Sequence, residues 1–182
     1  MRIGVMSDTH GRLDAMQRVA DAMVGEHGVE AIVHLGDDYA DTMQLNAHGR
    51  TLVAVPGLFE VAWKVPAIAH RRIEDFGGIT FFISHTPSRD PHDSRGDPDP
   101  GLAHSRYGAD VLLHGHTHRC RVEEAADGLI IVNPGHLKAE EDRGMPPTFA
   151  VIDANHSDLR VKIITTSGEV LEERSFKIVK KA

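Results

Sequence analysis

Four times in this chain a short apolar run stops and is followed at once by aspartate or histidine. Ile3–Ser7 leads to Asp8 and His10, and Ile32–Gly36 leads to Asp37. Phe81–Ser84 leads to His85, and Val111–Leu113 leads to His116 and His118. Apolar runs this short, bounded by turn residues, read as buried strands. Ligands of open α/β sheets bind just beyond the carboxyl ends of such strands. A fold that aligns these four strands therefore delivers two aspartates and four histidines to one crevice.

The surrounding pattern fits that constraint. Leu13, Met16, Val19, Ala20 and Met23 recur at helical spacing, predicting a helix over Leu13–His27 that Gly25 and Gly28 close. A weaker helix is expected over Ala40–Ala47, and a third strand over Thr51–Val55. Helices alternating with strands imply βαβ units and a parallel sheet. From there the pattern changes. Ala67–Phe76 and Ile79–Ser84 flank Gly77-Gly78 as a hairpin, and Cys120–Ala126 and Leu129–Val132 flank Asp127-Gly128 as another. Leu102–Tyr107 reads as a short helix and Asp110–Leu113 as a strand. Thr148–Asp153, Leu159–Thr165 and Val170–Lys177 complete the strands. Thr86–Gly101, crowded with Pro, Asp, Gly, Ser and Arg, is a long loop of the kind that is usually functional or disordered. Ala139–Pro147 is a polar loop. No repeat or linker interrupts the chain, so one domain is expected over residues 1–182.

Composition narrows the function classes. The chain has 41% hydrophobic and 26% charged residues, as ordinary globular proteins do. Its net charge of −7 argues against stable nucleic-acid binding, which needs a basic face. The Lys177–Lys181 tail reads as a solvated end. No apolar run nears the roughly 20 residues of a membrane span, and Met1–Met6 is too short for a signal peptide. The single cysteine, Cys120, fits a reducing compartment, so a cytoplasmic location and no membrane partner are expected. An oligomer is compatible with all of this.

The donor set itself points to metal. His114, His116 and His118 alternate, and residues two apart in an extended segment point the same way. Taken alone, such a pair reads more often as a surface histidine cluster; the aspartates and His85 at neighbouring strand ends change the balance. Mixed carboxylate and imidazole donors suit Mn, Fe, Zn, Co or Ni better than Ca or Mg. Six donors exceed what one catalytic ion uses. Two ions about 3.5–4 Å apart, bridged by a shared carboxylate, use them better and hydrolyse phosphoesters by holding an attacking hydroxide.

Asp8-x-His10, Gly36-Asp37, Ser84-His85 and Gly115-His116-Thr117-His118, in this order, resemble the calcineurin-like metallophosphoesterases. The likeness is strongest to their small phosphodiesterase branch, which also contains the retromer scaffold subunit. The resemblance implies a four-layer α/β sandwich of two mixed sheets flanked by helices. It implies one metal on Asp8, His10, Asp37 and His118, and a second on His85 and His116 with Asp37 as bridge. It implies hydrolysis of a small or nucleotide-like phosphodiester, with Asp37 and His85 in the catalytic centre; a degenerate relative serving as a binding module is the alternative. The chain departs from the family after its third strand, where Pro56-Gly57-Leu58-Phe59-Glu60 replaces the usual Gly-Asn and a following acid histidine. Leu58 ligates nothing. That leaves three outcomes open: a second site filled by three ligands and water, Glu60 as substitute ligand, or a weak second site. Where the family has a serine after Asn133-Pro134-Gly135, this chain has His136, expected to contact substrate phosphate or act as general acid. A surface histidine after a turn is an equally good reading of it. His34 reads as a hydrogen-bonded core residue and His114 as support for His116. Asp38 reads as support for Asp37 or as solvated, His92, Asp93 and Arg95 as solvated ahead of substrate contacts, and Cys120 as an inert thiol.

Overall fold

In the computed structural model, residues 1–179 are described; Lys180 and Lys181, the end of the basic tail, lie outside them. Eleven strands form two mixed sheets. The first comprises β1 (Arg2–Met6), β2 (Ala31–His34), β3 (Thr51–Ala54), β9 (Thr148–Asn155), β10 (Asp158–Thr165) and β11 (Val170–Lys177). Its spatial order is β11-β10-β9-β1-β2-β3. β1, β2 and β3 run parallel, and the three late strands form an antiparallel extension against β1. The second contains β4 (Arg71–Phe76), β5 (Ile79–Ser84), β6 (Val111–Leu113), β7 (Arg121–Glu124) and β8 (Ile130–Asn133). Here the order is β4-β5-β6-β8-β7, with β5, β6 and β8 parallel. The expected α/β sandwich of two mixed sheets is the architecture found.

Side-chain alternation builds its core. Ile3, Val5, Val33 and Val53 of the first sheet meet Phe81, Ile83, Val111, Leu113 and Val132 of the second in one buried cluster. The opposite face of the first sheet takes α1 (Leu13–Gly25), whose Met16, Val19, Ala20 and Met23 pack on Met6, Ile32 and Val151. On the far face of the second, Phe82 and Leu112 pack on Ala103 of α2 (Ala103–Tyr107). The outer layers are thin, because α2 is a single turn.

Departures from the expected elements have local causes. Residues 40–47 carry no continuous apolar stripe, and only Asp41 and Thr42 are buried there; the chain makes a 3-10 segment, Tyr39–Gln44, instead of an α-helix. β4 starts at Arg71 because its partner β5 ends at Ser84, opposite Arg71. The long loop is pinned. Arg71, buried, donates to both carboxylate oxygens of Asp93 at 2.9 and 2.8 Å and to Thr86 Oγ1 at 3.1 Å. His70 reaches Asp97 at 2.8 Å. The Asp93 side chain is therefore buried against Arg71 and not solvated, as the sequence had suggested.

Candidate metal centre

The parallel strands β1, β2, β5 and β6 all end at one rim of the sandwich, and the loops beyond them are laced together. Asp8 N–H donates to Gly36 C=O (2.8 Å), His10 N–H to Asp37 C=O (3.1 Å) and Gly115 N–H to His85 C=O (2.9 Å). His116 N–H donates to Asp8 Oδ2 at 3.1 Å. Two glycines permit this crowding. A Cβ on Gly57 would lie 1.8 Å from Asp37 Oδ1, and one on Gly115 would lie 1.9 Å from Ser7 Oγ.

Four of the six residues expected from the sequence form one tight cluster, and His85 and His116 stand beside it. One donor atom each from Asp8, His10, Asp37 and His118 lies within 4.8 Å of every other. Opposed ligands of a single transition-metal ion, at about 2.1 Å each, stand about 4.2 Å apart, so the spacing fits. His118 Nε2 is 3.1 Å from both His10 Nε2 and Asp8 Oδ1. Asp37 spans the centre: Oδ2 is 3.9 Å from His10 Nε2, while Oδ1 faces His85 Nε2 at 3.5 Å. The His116 ring stands beside His85, centroids 5.1 Å apart.

The backbone is strained at this spot. Asp8 (φ 55°), His10 (49°), Asp37 (47°), His116 (64°) and His118 (59°) are all left-handed. Aspartate and histidine tolerate that region better than most residues, yet each costs on the order of 1 kcal/mol. Strain concentrated on five of the six donors shows that the loops are held in place by the surrounding fold.

Electrostatics and hydrogen bonds leave the donors facing inward. His85 donates Nδ1–H to Leu35 C=O at 2.7 Å, so its buried Nε2 carries the lone pair and has no partner. Asp8 Oδ1 is also buried without a hydrogen bond, its contact with His118 lying outside hydrogen-bond geometry. Burial pushes the Asp8 carboxyl up, but His118, His85 and Ser7 together hold it below the ordinary range. Contact with Asp8 raises His118, whereas burial, then His85, lowers His116. Orphaned anionic and imidazole atoms aimed at one space are what a divalent cation would satisfy.

Several residues position the donors in ways the sequence did not assign. Asp142, in the loop read only as polar, accepts from His118 Nδ1 and from Lys138 Nζ (2.8 Å); the Lys138 ammonium first, and then the His118 N–H, lower its carboxyl. Glu60 is engaged by backbone amides. Its Oε1 accepts the N–H of Asp37 (2.9 Å) and of Gly57 (2.6 Å), and its Oε2 accepts that of Tyr39 (2.6 Å). Its carboxylate thus anchors the backbone at Asp37, Tyr39 and Gly57. Leu58 is buried, and Phe59 is 70% exposed. Asn133 donates to Gly115 C=O and Thr117 Oγ1, both at 2.9 Å, bracing the His116 turn. His34 contacts Thr9 Oγ1 at 2.5 Å within the core, as its strand position implied.

His136 is fully buried, and both its ring nitrogens are occupied. Nε2 donates to Met145 C=O at 3.1 Å, and Nδ1 accepts Lys138 N–H at 3.2 Å. Its ring packs 5.5 Å from that of His118.

Strand-end aspartates and histidines gathered at the rim of a two-sheet sandwich define the metallophosphoesterase class. The profile of the calcineurin-like phosphoesterase superfamily domain matches residues 1–157, and the chain belongs to that superfamily. A phosphodiesterase of Methanocaldococcus jannaschii is 26% identical over 176 residues, covering 88% of this chain and 97% of the relative. Among solved structures, a predicted phosphoesterase from Streptococcus pneumoniae TIGR4 superposes with a TM-score of 0.72 at 21% identity, over 97% of each chain. Wild-type Vps29 from Entamoeba histolytica, solved in complex with Zn²⁺, gives 0.64 at 18% identity over 97% of this chain and 99% of that one. No helix among the described residues is long and apolar enough to cross a membrane.

Proposed function

We propose that this chain is a metal-dependent phosphoesterase acting on phosphodiesters. Asp8, His10, Asp37 and His118 would hold one cation; Asp37, His85 and His116 would hold the other. The observation that carries this reading is Asp37, with one oxygen turned to His10 and the other to the unpartnered Nε2 of His85. Two divalent cations of the Mn, Fe, Zn, Co or Ni group would supply Lewis acidity and a water acidified toward neutral pH. The chain's own residues then do the rest. Asp142 and Leu35 C=O fix the ring orientations of His118 and His85, keeping their Nε2 atoms toward the centre. Glu60 and Gly57 keep the Asp37 carboxylate in place. His136, with no nitrogen free for a substrate, takes the role of brace for the His118 ring and the Met145 loop. The absence of a leaving-group histidine at Phe59 leaves proton delivery to water, which favours esters with good leaving groups. A cytoplasmic setting with small phosphoester substrates accords with the acidic chain and its single thiol.

A second reading, a binding module with a weakened second site, is favoured by Leu58 and by the exposed apolar side chains next to it, Phe59 and Val61, 70% and 83% accessible. Metal analysis of the purified protein, with hydrolysis of bis-p-nitrophenyl phosphate under added Mn²⁺, separates the two. Two ions per chain and metal-dependent turnover are expected of the enzyme. One ion and no turnover would leave the binding module.

A further inference from the structure

The loop that carries His116 and His118 has a second side. Besides presenting His116 and His118, it borders a cavity of about 480 Å³ lined by Thr117, Arg119 and Arg121. Pro87, Cys120, Met145 and Arg143 complete that cavity together with His114. Three guanidinium groups around one cavity are unexpected in a chain of net charge −7. Arg121 is paired with Glu123, but Arg119 and Arg143 make no ion pair among the described residues; Arg143 donates only to Thr117 C=O, at 3.1 Å. The neighbouring Asp142 carboxylate is committed to His118 and Lys138. The wall residue His114 is 2% exposed, and its Nε2 has no hydrogen-bond partner. Its Nδ1 lies 3.0 Å from Gly115 C=O and 3.3 Å from the Asn133 amide nitrogen, whose two N–H groups go to Gly115 C=O and Thr117 Oγ1; Nδ1 therefore donates to Gly115 C=O and Nε2 keeps a lone pair for a hydroxyl donor. A planar fork of N–H donors matches the paired oxygens of a phosphate.

We infer that this cavity is a phosphate subsite, with Arg119 and Arg143 as its cationic clamp and His114 as the acceptor for a sugar or other hydroxyl beside the phosphate. The inference rests on the phosphodiesterase reading and refines it. The substrates would be phosphodiesters carrying a further phosphate, with the scissile ester at the His116 and His118 side of the loop and the additional phosphate at the Arg119 side.

The first experiment uses metal-free protein, in which the Asp-His centre has no cation to attract anions. Titration with inorganic phosphate, followed by NMR of the arginine side chains and of Thr117 and Cys120 amides, is expected to shift those signals saturably. Arg119→Gln with Arg143→Gln weakens that binding at least tenfold, the loss expected for charge-assisted hydrogen bonds, whereas Arg50→Gln leaves it intact. Phosphate that shifts no signal there, or binds the double variant equally, overturns the subsite. The second experiment compares thymidine 5′-p-nitrophenyl phosphate with its 3′-phosphorylated form on Mn²⁺-loaded protein. A lower KM for the 3′-phosphorylated ester, lost in the double variant, is the expected result; equal KM values overturn the substrate assignment. Turnover of neither ester would remove the phosphodiesterase reading and the substrate class with it, while the metal-free titration still decides the subsite.

Discussion

At the scale of single residues, the candidate centre depends on groups outside its own donor set. Asp142 holds His118 through Nδ1, and replacing such a carboxylate typically lowers metal affinity 10- to 100-fold. Asp142→Asn is therefore expected to weaken metal binding by that margin with the thermal midpoint of the metal-free protein nearly unchanged, checked by calorimetric titration and circular dichroism. An unaltered affinity would show that His118 needs no such partner. Glu60 gives a sharper contrast. In Glu60→Gln the retained Oε1 can still accept the Asp37 and Gly57 N–H groups, while Glu60→Ala leaves all three donors without a carboxylate. Metal affinity should fall about tenfold or more in the alanine variant and only a few-fold in the glutamine variant. Equal losses in both would mean that charge, and not the hydrogen bonds, is what matters at this position.

Among the elements, β5 and β6 do the most positioning, because each delivers a donor and a core layer together. Phe81 and Ile83 face the other sheet, Phe82 faces α2, and His85 follows one residue past the strand. Phe81 is fully buried, so Phe81→Ala should cost about 3–5 kcal/mol in chemical denaturation. A loss below 1 kcal/mol would mean that the two sheets close up around the vacancy. The long loop belongs to this scale as well. Its composition reads as solvated, yet Arg71 and His70 on the approach to β4 tie it down through Asp93 and Asp97.

For the whole molecule, folding should be linked to protons and to metal. Burial lowers His34 and His114 to about 4 each. The folded state therefore binds fewer protons than the unfolded chain, whose histidines titrate near 6.5. This stabilisation is complete above pH 6.5 and is lost as the pH falls toward 4, at up to about 1.4 kcal/mol per pH unit for each histidine. Urea midpoints of the metal-free protein should drop between pH 7 and pH 5, and His114→Gln should flatten the slope. A midpoint independent of pH over that window would contradict it. Cations bound only by the folded form raise stability by about 2.7 kcal/mol at a hundredfold excess over Kd. Chelation should accordingly lower the melting temperature, and Mn²⁺ should restore it.

Hydrophobic periodicity is local, so the strands, α1 and the βαβ start were legible in the sequence, as were the six donors, each placed just past an apolar run. Element ends shifted by a residue or more because pairing partners decide where a strand stops, as Ser84 does for β4. What only the tertiary structure decided is where distant side chains meet. Nothing near Asp142 in sequence says that it lies under His118, and Glu60 looks equally suited to a cation or to three amides until the β3 loop is folded against Asp37. His136 was read from its motif position, but whether a histidine faces solvent or turns inward is set by the loops packed over it, here those bearing Met145 and Lys138. Hydrogen-bond partners across 20 or more residues follow from packing geometry, and no pattern along the chain encodes them.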